Sequence, residues 1–215
     1  MYDLHTHTIY SDGELLPIEL VRRAAVLGYR TLAITDHADS TNVTRLIKEL
    51  QPVRESAESY GVAILIGVEL THVPPVEIPV LARRAREHGA DIVVVHGETT
   101  VEPVAPGTNR AACTCEYVDL LAHPGLITLE DAKEAAERGI ALEITARAGH
   151  NRTNGHVLRI AREAGCAVSV DSDAHAPSDL MTRDARKTVA LGAGMTEAEC
   201  IAALSLDVDR LLHRF

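Results

Sequence analysis

The chain has 215 residues, 46% hydrophobic and 24% charged, with a formal net charge of −10, which suits one well-buried domain and is short for two. Phosphate backbones are gripped mainly by Lys and Arg, and the lysines here are only Lys48, Lys133 and Lys187, so a general nucleic-acid partner is not expected. No apolar run reaches the ~20 residues of a membrane helix, and strand-like sequence begins at once without a signal peptide, so the expectation is a cytoplasmic protein with no membrane partner.

Short aliphatic runs alternate with longer amphipathic stretches along the chain. Strands are expected near Tyr2–Leu4, Thr31–Thr35, Ala63–Val68, Asp91–Val95, Tyr117–Ala122, Ile140–Thr145 and Ala167–Val170, compact apolar segments suited to burial on both faces. Between them the pattern predicts helices at Pro17–Leu27, Val43–Tyr60, Ile78–His88, Ala111–Glu116, Leu129–Arg138 and Asn154–Ala164. Thr128 with Asp131 marks a helix start, and Thr196 with Glu199 makes a capping box for a final helix. Gly28, Gly61, Gly89, Gly139 and Gly165 follow helical stretches, where a left-handed cap is wanted.

Seven strands with helical crossovers and no hairpin signal predict a (β/α) barrel with parallel strands. An eight-stranded barrel usually takes ~250 residues, so a smaller or distorted one fits better; an open doubly wound sheet is the alternative. No linker or repeat divides residues 1–215, which read as a single domain. Cys113, Cys115, Cys166 and Cys200 lack zinc-type spacing and read as reduced thiols.

In either architecture the chemistry belongs at the carboxyl ends of the strands. The first strand delivers His5 and His7, then Asp12 in the loop Ser11-Asp12-Gly13; the second delivers Asp36 and His37; the third, Glu69. The fourth ends in His96, the fifth in His123 and the seventh in Asp171-Ser172-Asp173-Ala174-His175. A single histidine at a strand end is usually a structural residue, but six at the same end of five strands make a poor core. Imidazole and carboxylate are the donors that hold zinc, manganese or iron in hydrolytic sites. His5 and His7, two apart on a strand, face the same side and can chelate one ion, and Glu69 can bridge two. Two or three divalent ions are therefore expected, while His72, His88, His156 and His213 read as ordinary loop or helix histidines.

The segments His5-Thr6-His7-Thr8-Ile9-Tyr10-Ser11-Asp12-Gly13, Thr35-Asp36-His37, Gly67-Val68-Glu69, His123-Pro124 and Ser172-Asp173-Ala174-His175 resemble, in order, the motifs of the PHP (polymerase and histidinol phosphatase) family. The resemblance runs from residue 3 to about residue 180. It implies a distorted (β/α)7 barrel, TIM-barrel-like, and a trinuclear site. One ion would be held by His5, His7, Glu69 and Asp173, a second by Glu69, His96 and His123, and a third by Asp12, His37 and His175. Asp12 stands where family members vary between Asp and His. Asp36 and Asp171 would orient ligand histidines or cap strand ends, Asp171 being equally a turn-forming aspartate. The chain is shorter than the characterised histidinol phosphatases and has no length for large substrate-covering insertions, which leaves the organic substrate open.

Three divalent ions bring six positive charges and Asp12, Glu69 and Asp173 return three, an excess that suits a hydroxide together with a phosphate dianion. The expected reaction is hydrolysis of a small phosphate monoester, a phosphorylated metabolite, with metal-bound hydroxide attacking in place of a Ser or Cys nucleophile. Arg147, after the sixth strand, and Arg110, in the Gly- and Pro-rich segment Gly97–Arg110, are candidate phosphate ligands. His150 is a candidate general acid or substrate contact, and Glu143, inside the sixth strand, needs an arginine or ligand histidine as partner.

Three other readings compete. An amidohydrolase with a carboxylated lysine would need a lysine in a strand, and none is there. A PHP-type phosphodiesterase or nuclease is disfavoured by the acidic charge and by one Phe, five Tyr and no Trp. A metal-free scaffold on the same barrel, such as an RNA-enzyme subunit, should have lost ligands and gained basic surface.

Overall fold

The structure, a computed structural model, describes residues 1–212; His213 lies outside the described residues. Among the described residues eight strands are present in chain order: β1 (Tyr2–Asp3), β2 (Thr31–Ile34), β3 (His37–Ala38), β4 (Ala63–Leu70), β5 (Ile92–His96), β6 (Leu120–Ala122), β7 (Ala141–Thr145) and β8 (Val168–Asp171). All pairings are parallel, in the order β1-β2-β4-β5-β6-β7-β8, with β3 also on β4. Thr31 pairs with Ala63 and His37 with Glu69, the same offset, so β2 and β3 are one stave interrupted at Thr35-Asp36. Seven staves with helices outside make the nearly closed barrel that the strand count predicts, and the open doubly wound sheet is not formed.

Alternation along the strands separates two cores. Val93, Val95, Leu121, Leu142 and Ile144 face the helices, whereas Ala33, Ile92, Val94, Leu120, Ala122 and Ala141 fill the barrel interior. Continuing the inward parity places His37, Glu69, His96 and Glu143 toward the barrel axis at its carboxyl end, above an apolar floor.

The seam between β8 and β1 has only an isolated bridge, Thr6 to Ala174. Side chains replace the missing ladder. Asp171 Oδ1 accepts the Leu4 N–H at 2.8 Å, Asp3 Oδ1 accepts the Ser172 N–H at 3.2 Å, and the Tyr2 hydroxyl accepts the Val170 N–H at 3.2 Å. Below them the buried Arg186 guanidinium donates twice to the Val170 carbonyl and lies over the Tyr2 ring, 3.9 Å from its centroid. Burial pushes the Asp3 carboxyl up to about 7, with Asp171 adding to the shift and Arg186 opposing it.

Several helices depart from expectation, among them Val208–Leu212, which follows the helix expected to be final. The one predicted over Val43–Tyr60 is two, Val43–Leu50 and Val53–Ser59, because Pro52 has no N–H to continue the ladder. The one predicted over Ala111–Glu116 runs Thr108–Cys113. Arg183–Gly192, capped by the Thr182 side chain, was not anticipated. The five cap glycines all adopt positive φ, and the Thr196–Glu199 capping box forms. All four cysteines are unpaired, and no described helix is long and apolar enough to cross a membrane.

Candidate metal centre

The nine residues expected as ligands converge on one pocket of about 260 Å³, whose lining includes Asp12, His37, His96, His123, Asp173 and His175. His5, His7 and Glu69 form its buried base. His5 Nε2 stands 3.1 Å from His7 Nε2 and 3.3 Å from Glu69 Oε1, and His7 Nε2 stands 3.3 Å from Asp173 Oδ1. His123 Nε2 is 3.6 Å from both Glu69 Oε1 and Asp173 Oδ2. Toward solvent, Asp12 Oδ1 lies 3.3 Å from His37 Nε2 and 3.2 Å from His175 Nε2. Three groupings of donor atoms, each within 4.8 Å, follow: His5 with His7 and Glu69; Glu69 with His96 and His123; and Asp12 with His37, His175 and His7. Asp173 shares a further grouping with His5 and His123.

Donors bonded to one ion at ~2.0–2.2 Å stand about 3–3.5 Å apart, the spacing seen here. The protons agree. His5 Nδ1–H donates to Glu143 Oε1 at 2.8 Å, and His175 Nδ1–H to the Asp173 carbonyl at 2.9 Å, which turns each Nε2 lone pair into the pocket. Glu69 Oε1, Asp173 Oδ1 and His123 Nδ1 are buried with no hydrogen-bond partner among the described residues. Orphaned carboxylate oxygens facing imidazole lone pairs fit divalent cations and little else.

Electrostatics divide these groups into imidazoles held neutral and imidazoles drawn toward a positive charge. Burial lowers His7 to about 4, and with His96 nearby it holds His123 well below the usual imidazole range. Burial alone would raise Glu69 and Asp173, but the surrounding histidines, His5 foremost, hold both carboxyls low. Three histidines go the other way against burial: Asp173, Glu69 and Glu143 raise His5 well above the ordinary value, Glu69 and Asp12 raise His37 to about 10, and Asp12 and Asp173 raise His175. Where three carboxylates favour a proton, they also favour a metal cation in its place.

Local backbone builds this geometry. His72, His123 and Asp173 are the non-glycine residues with positive φ among those described, at 53°, 28° and 51°, and all three line the pocket. Such strain gathers at functional sites. Gly13 packs against His7, where a Cβ would lie 2.6 Å from the His7 carbonyl oxygen. At Gly125, φ 60°, an added Cβ would lie 1.9 Å from the Glu98 carbonyl oxygen. These contacts set the loops that carry Asp12 and flank His123.

Glu143 answers the pairing question left by the sequence. One oxygen takes the His5 ring proton and the other accepts the His123 N–H at 2.8 Å, so a single buried carboxylate orients two ligand positions. Burial pushes it up to about 7, and the facing His5 opposes that shift.

Several expectations need correction. Arg110 does not fold over the pocket; it faces Glu130, Asp131 and Glu134 on the neighbouring helix, whose carboxylates form a ready cage for it. Asp36 is buried and accepts from the Thr8 N–H and hydroxyl, both at 2.7 Å, and from the Ser11 hydroxyl at 2.6 Å, so it fixes the loop bearing Asp12 and bonds no ligand histidine directly. Asp171 serves the barrel seam and orients no ligand histidine. Arg147 and His150 do line the pocket: Arg147 donates to Asp179 at 3.3 Å, and His150 Nδ1 lies 2.8 Å from the Thr99 hydroxyl.

Glu102 and His72 were missed. Glu102 sits in a segment with no readable motif, and His72, which reads as an ordinary loop histidine, follows Glu69 by three residues at the strand end. A larger groove of about 480 Å³, lined by Met1, Arg183, Lys187 and Leu204 among others, lies at the amino end of β1 and gathers no ligand set.

A family profile for the PHP domain matches residues 3–151. The chain is 52% identical over 200 residues to an uncharacterised protein of Methanocaldococcus jannaschii, covering 92% of each. It is 29% identical over 230 residues to ribonuclease P protein component 3 of Methanosarcina barkeri, covering 99% of this chain and 89% of that one. Among solved structures, a Lactococcus lactis histidinol phosphate phosphatase complexed with zinc, L-histidinol and phosphate superposes with a TM-score of 0.64 at 17% identity, over 91% of this chain and 94% of that one.

Proposed function

This chain belongs to the PHP domain family, and from that premise we propose that it is a metal-dependent phosphoesterase acting on a small phosphate monoester. The observation that carries the reading is the complete nine-residue donor set at the base of a pocket of about 260 Å³, with Arg147 at its lining. So small a pocket encloses a phosphoryl group and little of a polymer.

His5, His7, Glu69 and Asp173 would hold one divalent ion, Glu69, His96 and His123 a second, and Asp12, His37 and His175 a third. Such ions, when bound, lower the pKa of water toward neutrality and neutralise phosphoryl oxygens. The chain's own groups then position the ester. The Arg147 guanidinium, steadied by Asp179, can donate to a phosphate oxygen, and Asp179 is itself fixed by the His175 and Ala176 N–H groups at 3.0 and 2.9 Å. His150, whose ring lies 4.3 Å from that of His123 between centroids, would donate a proton to the leaving oxygen.

The similarity to a ribonuclease P protein component favours a second reading, in which the ester is a phosphodiester of RNA. The net charge of −10 and the scarcity of aromatic rings favour the monoester. Zinc- or manganese-loaded protein should be assayed against a panel of small monoesters, histidinol phosphate included, beside a dinucleotide and a short RNA. Turnover of a monoester above both nucleic-acid substrates is expected; faster cleavage of the dinucleotide or RNA would establish the second reading. Metal content near zero that persists after reconstitution would sink both.

A further inference from the structure

We propose that Glu102, in the loop after β5, is a fourth protein ligand of the ion held by Glu69, His96 and His123, and that it occupies the position an oxygen of the substrate must take. The inference rests on the metallophosphoesterase reading above and deepens it.

The donor census points to a gap. The grouping around Asp12 offers four side chains, and the one around His5 reaches four with Asp173, whereas Glu69, His96 and His123 supply three. Of these three, Glu102 meets His96, and it shares a separate grouping with His96 and His72. His96 Nδ1–H donates to the Gly97 carbonyl at 3.1 Å, which leaves a lone pair on Nε2, and Glu102 Oε2 faces that nitrogen at 3.2 Å. A lone pair confronting a carboxylate oxygen is repulsive until a cation joins them, and 3.2 Å is close to the separation of two donors on one ion.

Two other imidazoles hold the carboxylate there. His72 Nε2 lies 2.9 Å from Oε2 and His150 Nε2 3.2 Å from Oε1. His72 does this from a left-handed backbone, φ 53°, which a non-glycine residue seldom adopts. The base of the loop is independently secured. The Glu98 side chain accepts the Gly107 and Asn109 N–H groups at 3.0 and 2.9 Å, and the Asn109 amide donates to the Pro124 carbonyl at 2.8 Å. The side chain of Glu102 is nevertheless 37% exposed, so it can yield its place to an incoming oxygen.

The test compares the full-length wild type with Glu102→Ala, each loaded with zinc and dialysed against graded chelator, with retained metal measured by elemental analysis. Glu102→Ala should surrender one equivalent at a chelator concentration at least about tenfold lower than the wild type, the loss typical of weakened metal sites. Identical retention curves would overturn the ligand assignment while leaving the phosphoesterase reading intact; a wild type that holds no zinc at all would overturn both. Calorimetry with inorganic phosphate at saturating zinc tests the second half of the proposal. The vacated position should tighten phosphate binding several-fold, and unchanged or weaker binding would show that Glu102 does not stand in the substrate's place.

Discussion

The floor and the rim of the pocket use the same residue types in opposite surroundings. His5, His7, Glu69, His123 and Asp173 are at most 3% exposed. The Asp12 side chain is 58% exposed and that of His37 28%. The floor hangs from strand ends and is oriented by Glu143, whereas Asp12 comes from a loop tied down by Asp36. A carboxylate in low dielectric binds a cation far more strongly than one in water, so the two regions should differ in how firmly they hold metal.

The largest effect is expected at Glu69, whose Oε1 faces His5 and His123 while Oε2 lies 2.7 Å from His37 Nδ1. Glu69→Gln keeps the volume and removes the charge shared between neighbouring ions. It should fold, lose more than one metal equivalent and lose nearly all turnover. Full metal content with full activity would dissolve the idea of a charge-bridged floor.

Glu143→Gln comes next, because the amide cannot accept from both His5 and the His123 N–H as a carboxylate does. Metal affinity should fall about 10–100-fold, and stability by about 1–3 kcal/mol from a buried group left unsatisfied; chelator titration and denaturant unfolding read the two separately. Asp12→Ala should release a single ion with little change in unfolding midpoint, since the residue is mostly solvated. If it instead emptied the floor, the contrast drawn here between the regions would collapse.

The smallest effects concern the arginines. Arg147→Ala should retain its metals and show a raised KM or lowered kcat for a phosphate ester. Arg110→Ala, in an exposed cluster of carboxylates, should leave both kinetic constants and metal content unchanged. Kinetics that moved with Arg110 and not with Arg147 would relocate the phosphate-binding edge of the pocket.

Strand parity and motif order made the pocket's cluster of histidines and carboxylates legible before any coordinates. His5 and His7 share a face because side chains alternate, and Glu69, His96 and His123 end apolar runs that could only be buried strands. Charge balance likewise disclosed that Glu143 needed a partner. What stayed hidden depends on contacts between segments distant in the chain. Arg110 was drawn to Asp131 and Glu134, more than twenty residues away, by carboxylates whose helix orientation no local pattern reports. Pro52 breaks a helix whose apolar period otherwise continues across it.

The sequence by itself therefore determined the barrel, its polar end and the chemical character of the site, because periodicity and donor type are local properties. Only the tertiary structure decided that Asp3 and Asp171 close the seam, that Asp36 serves a loop, and that Glu102 and His72 meet His96 at the pocket. A carboxylate's role is set by which N–H, imidazole or cation it faces, and that choice is made when the chain brings remote segments within about 3 Å of one another.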